Sequence, residues 1–396
     1  MRAMIVEPQG AAGIWHYAVS LSQALGGIGV EVVLATLAPV ERDLPTTGPD
    51  IPIRVVGSKV DRGKWPPTVM LRRAASQVQR LSGIWSAVRD YRPNVVHIHD
   101  PIGRFDFLYE RLLRSRGTRV VYTAHEVWWD GMGSWFDLAR CRQANAVIVH
   151  SAETMRELAL RGVPSERMRQ IPHGNYLHFC EDRGLTQSDA RRMLGLPAAA
   201  RQVVLFFGAI APYKGLDLLI EAFARLSAAN DALYLVIAGR PKGDFSMYQR
   251  ILSRTRVTHR VVKNLGYVPF DQFAKYFVAA DVIVLPYRRI SQSGILQLAY
   301  GFSKPVVVTD VGGLGEAVRA DHTGVVSSGV TADGLAAAIK QVLDDPVAAS
   351  VMGSRGRRLA ETKYSWRTIA TQLLRVYEEV CAEQIGVHKE TLAPWS

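Results

Sequence analysis

Eleven short runs rich in Val, Ile, Leu and Phe punctuate this chain, most of them continuous rather than alternating with polar residues. A first series comprises AMIV (3–6), VEVVLAT (30–36), IRVV (53–56), NVVHIH (94–99), RVVYTA (119–124) and AVIVH (146–150). A second comprises VVLFFG (203–208), LYLVIAG (233–239), VVKNLG (261–266), DVIVLP (281–286) and PVVVTD (305–310). Continuous apolar runs of this length predict strands covered on both faces. Between them lie stretches with apolar residues at helical spacing, such as WHYAVSLSQAL (15–25) and AETMRELALRG (152–162). Strands alternating with helices predict parallel βαβ units. The two series are separated by the polar EDRGLTQSDARRMLGLPAAARQ (181–202), which reads as a linker with one short helix.

The expectation is therefore an α/β protein of two doubly wound Rossmann-like domains facing a cleft. A length of 396 residues agrees with two cores rather than one. The boundaries are expected at 1–184 and 185–375, with a C-terminal helix over 376–396 packing back on the first domain. Such sheets gather ligands at the carboxyl ends of their strands, where these runs end in Gly, His, Asp and Ser.

Composition narrows the class. Apolar residues make up 48% and charged ones 21%, which describes a soluble globular chain. Cys141, Cys180 and Cys381 show no CxxC spacing, so neither a disulfide scaffold nor a zinc site is expected, and a reducing cytosol fits. MRAMIVEPQGAAG at the start reads as a strand and a glycine turn rather than a signal peptide. The most apolar run, VVLFFGAIA (203–211), falls short of the roughly 20 residues a bilayer span needs. Cytoplasmic residence is expected, with peripheral attachment to the inner face of a membrane as an open variant.

The net charge of +12 is concentrated between residues 54 and 119, with fourteen basic residues against five acidic. Nucleic acid is not expected, because no recognition motif or interleaved aromatic platform accompanies the basic residues. An anionic membrane surface, a phosphate-bearing acceptor and a solvated face remain open. Over residues 66–92, Val69, Val78, Leu81, Ile84, Trp85 and Val88 fall near helical spacing, with Arg72, Arg73, Arg80 and Arg89 elsewhere. Such a helix either lies on an anionic membrane or packs its stripe on the first sheet, and the second reading is preferred.

Four stretches carry candidate chemistry. PQGAAG (8–13) ends the first strand in a glycine turn, where Gly13 lets backbone amides approach an anion. FFGAIAPYKGLDLLIEAFARL (206–226) puts Lys214 at a helix start; the helix end is already positive, so the ammonium there suggests use on an anion. YTAHEVWWDGMG (122–133) puts His125 at a strand end. In LPYRRISQSGILQLAYG (285–301), small residues Ser293 and Gly294 precede an apolar helix and leave its leading amides for a phosphate. No DxD-like pair sits at a strand end, so no metal is expected.

Taken in order, these motifs resemble family 4-type glycosyltransferases of the GT-B fold. VVHIHDP (95–101), VIVHSAETMRELALRGVPSERMRQIPHGNY (147–176), LGYVPFDQFAKYFVAADVIVLPY (265–287), GFSKPVVVTDVGGLGE (301–316) and YSWRTIATQLLRVYEEV (364–380) extend the likeness over nearly the whole chain. The resemblance implies a nucleotide-sugar donor bound by the second domain and a saccharide or lipid-linked acceptor on the first. It also implies retention of anomeric configuration without metal or other cofactor. By resemblance His125 touches the donor sugar, Lys214 and the Gly13 turn hold the diphosphate, Ser293 and Gly294 hold the distal phosphate, and Gly208 and Glu316 belong to the donor site. Trp366 and Tyr377 fall in the segment that crosses back to the first domain.

Three positions depart from the family pattern. The acid pair around the phosphate helix is replaced by Ile290 and Leu298, and the arginine after the FFG glycine by Ala209. Gln297 is the expected substitute for the second acid, and Arg288 or Arg289 for the arginine. These losses leave one alternative from another class, a catalytically inactive relative that binds a sugar, nucleotide or partner protein. A nucleotide-sugar epimerase is a weaker rival.

Overall fold

A computed structural model describes residues 1–10, 12–38, 48–58, 67–99, 106–125, 132–182 and 184–390. Within these ranges the side chains of 12, 58, 67–76, 106–108, 132–136 and 383–390 stand outside the description. The chain divides into two compact units, 1–174 with 366–396, and 175–365.

The first unit is built on seven strands: β1 (Arg2–Val6), β2 (Glu31–Ala38), β3 (Ile53–Ser58), β4 (Val95–Ile98), β5 (Arg119–Thr123), β6 (Ala146–Val149) and β7 (Met168–Gln170). They form one parallel sheet in the order β3-β2-β1-β4-β5-β6-β7. The second unit holds β8 (Gln202–Phe207), β9 (Leu233–Ala238), β10 (Val261–Asn264), β11 (Val282–Leu285), β12 (Val306–Val308) and β13 (Gly324–Val326), ordered β10-β9-β8-β11-β12-β13. Each sheet reverses strand order once, at β1/β4 and at β8/β11. In an open parallel sheet the two chains leaving such a point diverge to opposite faces and open a crevice at the carboxyl ends.

All eleven anticipated strands are present. The two that the pattern misses, β7 and β13, are three residues long. Met168-Arg169-Gln170 has one buried residue and Gly324-Val325-Val326 has none, so neither carries an apolar run. The four residues of β4 and of β11, by contrast, are all buried, as central parallel strands must be.

The units divide ten residues earlier than the expected 184/185 and 375/376 boundaries. Residues 175–184 pack on the second unit: a β-carbon on Gly301 would collide with Cys180, and one on Gly294 would lie 2.5 Å from the Tyr176 ring. The stretch read as a linker is anchored there too, since the helix Gln187–Met193 sends Arg191 Nη2 to Asp281 at 2.7 Å. The returning helix starts at Trp366, whose indole lies over Gly174; a β-carbon on that glycine would sit 2.6 Å from the ring. Ile369, Leu373, Val376, Tyr377 and Val380 of this helix join Ile5, Trp15, Leu21 and Leu34 in one core. The helix is described to Glu390, and residues 391–396 of the expected 376–396 segment lie outside the described residues.

On the other face of the first sheet, Ile84 and Val88 are buried, with Leu81 and Trp85 packed against them. The stripe of the helix Pro67–Tyr91 is thus committed to the core along its second half, while Val78 is 67% exposed. Val69 lies outside the description. No helix among the described residues is long and apolar enough to cross a membrane.

Candidate active site

In the second unit the chemistry collects at the β8/β11 switch point. β8 is followed by Gly208, whose φ of 103° is one that side-chain-bearing residues avoid. The chain then makes the single 3₁₀ turn Pro212–Lys214, with Gly215 left-handed at φ 65°, before the helix Leu216–Ser227. Lys214 Nζ donates to Tyr287 Oη at 3.2 Å and lies 4.8 Å from the centroid of that ring. A β-carbon on Gly208 would stand 3.6 Å from this ammonium and 3.3 Å from Ile295 Cδ1. Gly208 therefore leaves room for the lysine head beside the first turn of the helix Gly294–Gly301.

That helix opens without a side-chain cap. Ser293 occupies the cap position in extended conformation, but its hydroxyl accepts no hydrogen bond from the first turn. The leading amides of a helix have no intrahelical partner and carry its positive end. Gly294 has a packing role that the sequence did not reveal, for the Tyr176 ring occupies the space a β-carbon needs. Gln297 is buried, and its Oε1 has no hydrogen-bond partner among the described residues. Ile290 and Leu298, at the positions of the lost acids, are respectively half-buried and buried. The Ile290 carbonyl rests against Gly312, at φ 53°, and Gly313 N donates to Ser291 O at 3.2 Å, seating the loop on the helix Gly312–Asp321. Glu316 is the fifth residue of that helix, half-buried, and close enough to Tyr364 to help raise its phenol pKa.

Arg288, expected as a donor ligand, is paired within the protein in this structure. Its guanidinium makes a two-pronged ion pair with Asp217, Nη1 to Oδ1 at 2.8 Å and Nη2 to Oδ2 at 2.6 Å, and Nη1 also donates to Pro212 O at 3.0 Å. Donating these hydrogen bonds to Asp217 raises the guanidinium pKa further. Arg288 thus serves the loop that bears Lys214. Ala209 stands half-buried where the family arginine was expected.

The first unit has a different character. The buried Glu7 follows β1, and its carboxylate accepts from Gln9 N and Gly10 N, both at 2.8 Å, which folds the glycine turn. Gly10 has φ 60°. Gly13 falls in the first turn of the helix Ala12–Gly27, exposed, with open space where a β-carbon would point.

His125 follows β5 and is one member of a buried file of histidines. His99 Nδ1 lies 3.0 Å from His125 Nε2, His125 Nδ1 lies 3.3 Å from His150 Nε2, and His150 Nδ1 lies 2.9 Å from Ile171 O. Burial lowers the pKa of His99 and His125 well below the ordinary value and that of His150 to about 4, so all three are neutral near pH 7. A neutral imidazole has one donor and one acceptor nitrogen. A carbonyl only accepts, so His150 carries its proton on Nδ1. Nε2 of His150 then accepts from His125 Nδ1, and His125 Nε2 accepts from His99 Nδ1. The file ends on His99 Nε2, a bare buried acceptor without a hydrogen-bond partner among the described residues. Tyr17 packs edge-on against His125 at 4.7 Å and His173 at 5.0 Å. His97, beneath, is held by Tyr377 Oη at 2.6 Å and Thr123 Oγ1 at 2.7 Å. Glu126, beside His125 in sequence, lies outside the described residues.

The structure thus brings Gly208, Lys214, Ser293, Gly294 and Gln297 to the carboxyl end of the second sheet, and Gly13 and His125 to that of the first. Sequence reasoning missed Asp217, Tyr287 and Tyr176, and from the first unit Glu7, His99, His150 and His173. The histidines did carry a signal, since each follows an apolar run in HIHDP, VIVHS or IPHGN. Among the described residues no group of three or more His, Cys, Asp or Glu is disposed to hold a metal ion, and the three cysteines are free thiols.

Two family models match the chain, Glycosyltransferase Family 4 over residues 11–175 and Glycosyl transferases group 1 over residues 201–345. Glycogen synthase of Mycobacterium tuberculosis is 27% identical, over 95% of this chain and 94% of its own length. A GDP-mannose-dependent alpha-(1-6)-phosphatidylinositol monomannoside mannosyltransferase of Mycolicibacterium smegmatis is 30% identical, over 66% of this chain and 71% of its own. Among solved structures, sucrose-phosphate synthase from Thermosynechococcus elongatus superposes with a TM-score of 0.76 at 22% identity, covering 97% of this chain and 100% of that one. With both family models in chain order on two doubly wound units, the chain belongs to glycosyltransferase family 4 and is a GT-B glycosyltransferase that draws on a nucleotide-sugar donor.

Proposed function

We propose that this enzyme transfers a sugar to a saccharide or lipid-linked acceptor with retention of anomeric configuration and without a metal. The relatives point to the two acceptor classes, glycogen for the one and a phosphatidylinositol monomannoside for the other. The observation that carries the reading is the Lys214 ammonium beside Gly208 and the uncapped first turn of Gly294–Gly301. As the bond from the anomeric carbon to the diphosphate breaks, negative charge grows on the leaving oxygen. A fixed cation and oriented amides stabilise that charge without reorganising. Gln297, with its unused buried oxygen, is the residue for a ribose hydroxyl, in place of the missing acid. The Gly13 turn adds amides to the diphosphate.

His125 contributes through the donor sugar. Both its ring nitrogens are engaged by other histidines, so a sugar hydroxyl that bonds to Nε2 takes the place of His99 Nδ1 and donates, as His99 does now. This makes His125 a hydrogen-bond acceptor that orients the sugar. The acceptor hydroxyl attacks the anomeric carbon on the face the diphosphate leaves, and its proton passes to the departing phosphate oxygen.

A thermal-shift panel of UDP-, GDP- and ADP-sugars, each with and without EDTA, tests the reading. One nucleotide raises the melting temperature selectively, EDTA leaves that shift intact, and Lys214→Ala weakens binding about 10- to 100-fold, the worth of a charged hydrogen bond. No shift with any donor, or a Lys214→Ala protein that binds unchanged, overturns it.

A further inference from the structure

The turn that carries Lys214 is too short to hold itself. Pro212–Lys214 is one 3₁₀ turn, with poorer hydrogen-bond geometry than an α-helix, and it ends on a left-handed glycine. Its support comes from the segment that follows β11. Arg288 N donates to Tyr213 O at 2.7 Å, and Arg288 Nη1 donates to Pro212 O at 3.0 Å. The same guanidinium grips both oxygens of Asp217, in the first turn of the helix that begins after the glycine. One residue therefore fastens the turn at two successive carbonyls and fastens the next helix as well.

The neighbouring residue holds the other end of the lysine. Tyr287 is fully buried, its carbonyl accepts from Thr309 Oγ1 at 2.5 Å, and its hydroxyl accepts from Lys214 Nζ. Consecutive residues of one segment thus set the backbone of Lys214 and the perch of its ammonium.

We propose that Arg288 and Asp217 form a clamp that positions Lys214 for the donor diphosphate, so that Arg288 acts on the reaction through the lysine and not by touching the substrate. The proposal rests on the reading of Lys214 given above. Two properties suit an arginine to it. The planar fork meets a carboxylate at two points and fixes direction as well as distance, which an ammonium cannot do. The pair also neutralises Asp217, three positions from Lys214, so the carboxylate does not oppose the anion that the lysine attracts. Exposed ion pairs add little to stability by themselves, and with side-chain exposures of 39% and 23% this pair is valued for geometry.

Calorimetric binding of inorganic pyrophosphate to the full-length protein, backed by kcat and KM for the donor found in the panel, tests the clamp. Lys214→Ala weakens pyrophosphate about 10- to 100-fold. Arg288→Ala weakens it about three- to tenfold, and Arg288→Lys fails to rescue because it keeps the charge but loses the fork. The decisive protein is Lys214→Ala/Arg288→Ala, in which the second substitution adds less than about twofold because its route through the lysine is gone. Arg288→Gln, a shorter neutral side chain that keeps an amide donor, takes the place of the alanine variant if that one melts below the assay temperature. Additive losses in the double variant, or full rescue by lysine, make Arg288 a direct ligand and overturn the clamp. Unchanged binding in Arg288→Ala with weakened binding in Lys214→Ala also overturns it, leaving the lysine reading intact. Unchanged binding in Lys214→Ala overturns both.

Discussion

Lowering the pH from 7.5 to 5.5 should unfold the first unit while sparing the second. Besides His16, five histidines, His97, His99, His125, His150 and His173, are buried in that unit. Desolvation lowers His97 and His173 to about 3 and His150 to about 4, and takes His99 and His125 well below 6.5. His97, His150 and His173 therefore stay neutral in the folded protein down to pH 5.5 but protonate near pH 6.5 once unfolded, and His99 and His125 are shifted in the same direction. Between those values the unfolded chain binds more protons, so stability rises with pH and is lost as pH falls through 6.5. From pH 7.5 to 5.5 this linkage is worth about 1.4 kcal/mol for one such histidine and about 4 kcal/mol for His97, His150 and His173 together, with His99 and His125 adding in the same direction. A domain typically has about 5–15 kcal/mol of stability to lose.

The measurement is convenient because all eight tryptophans fall within 1–174 or 366–396. Urea unfolding followed by tryptophan fluorescence thus reports the first unit alone. Its midpoint should fall steeply between pH 6.5 and 5.5, with uptake of about three or more histidine protons on unfolding. A midpoint that stays constant over this range, or imidazolium resonances from these residues in the folded protein at pH 6, would refute the reasoning.

Two further outcomes concern the second unit. Gly294→Ala drives a methyl to 2.5 Å from Tyr176 Cε2, so a loss of about 1–3 kcal/mol is expected in denaturant unfolding, together with weaker donor binding; an equally stable variant would show that the ring yields freely. Gln297→Leu removes a buried oxygen that has no partner among the described residues, so the protein without donor should be no less stable, while nucleotide-sugar affinity drops about tenfold; unchanged affinity excludes Gln297 from the ribose.

Strand identity was legible in the sequence because central parallel strands are buried on both faces and leave unbroken apolar runs. Edge strands of three residues leave none, and Met168–Gln170 and Gly324–Val326 went unread for that reason. The Lys214 and Ser293-Gly294 segments were readable because lysine at a positive helix end and glycine before an apolar helix both conflict with local preference. What a pattern along one chain does not carry is who stands opposite. Arg288 looked available until Asp217, 71 positions away, occupied it, and Gly294 looked free for an anion until the Tyr176 ring was found against it. The unit boundary was misplaced for the same reason, because Gln187 and Arg191 of the polar stretch are tied to Asp281, some 90 positions away.

The second unit is one continuous stretch, 175–365, whereas the first takes its final core helix from beyond that stretch. A ribosome therefore finishes the later-numbered half first. Until Ile369, Leu373, Val376 and Tyr377 emerge, Trp15 and Leu21 lack partners that complete their core, and the nascent first half waits with apolar surface uncovered while the second closes. Synthesis order and folding order therefore run in opposite directions.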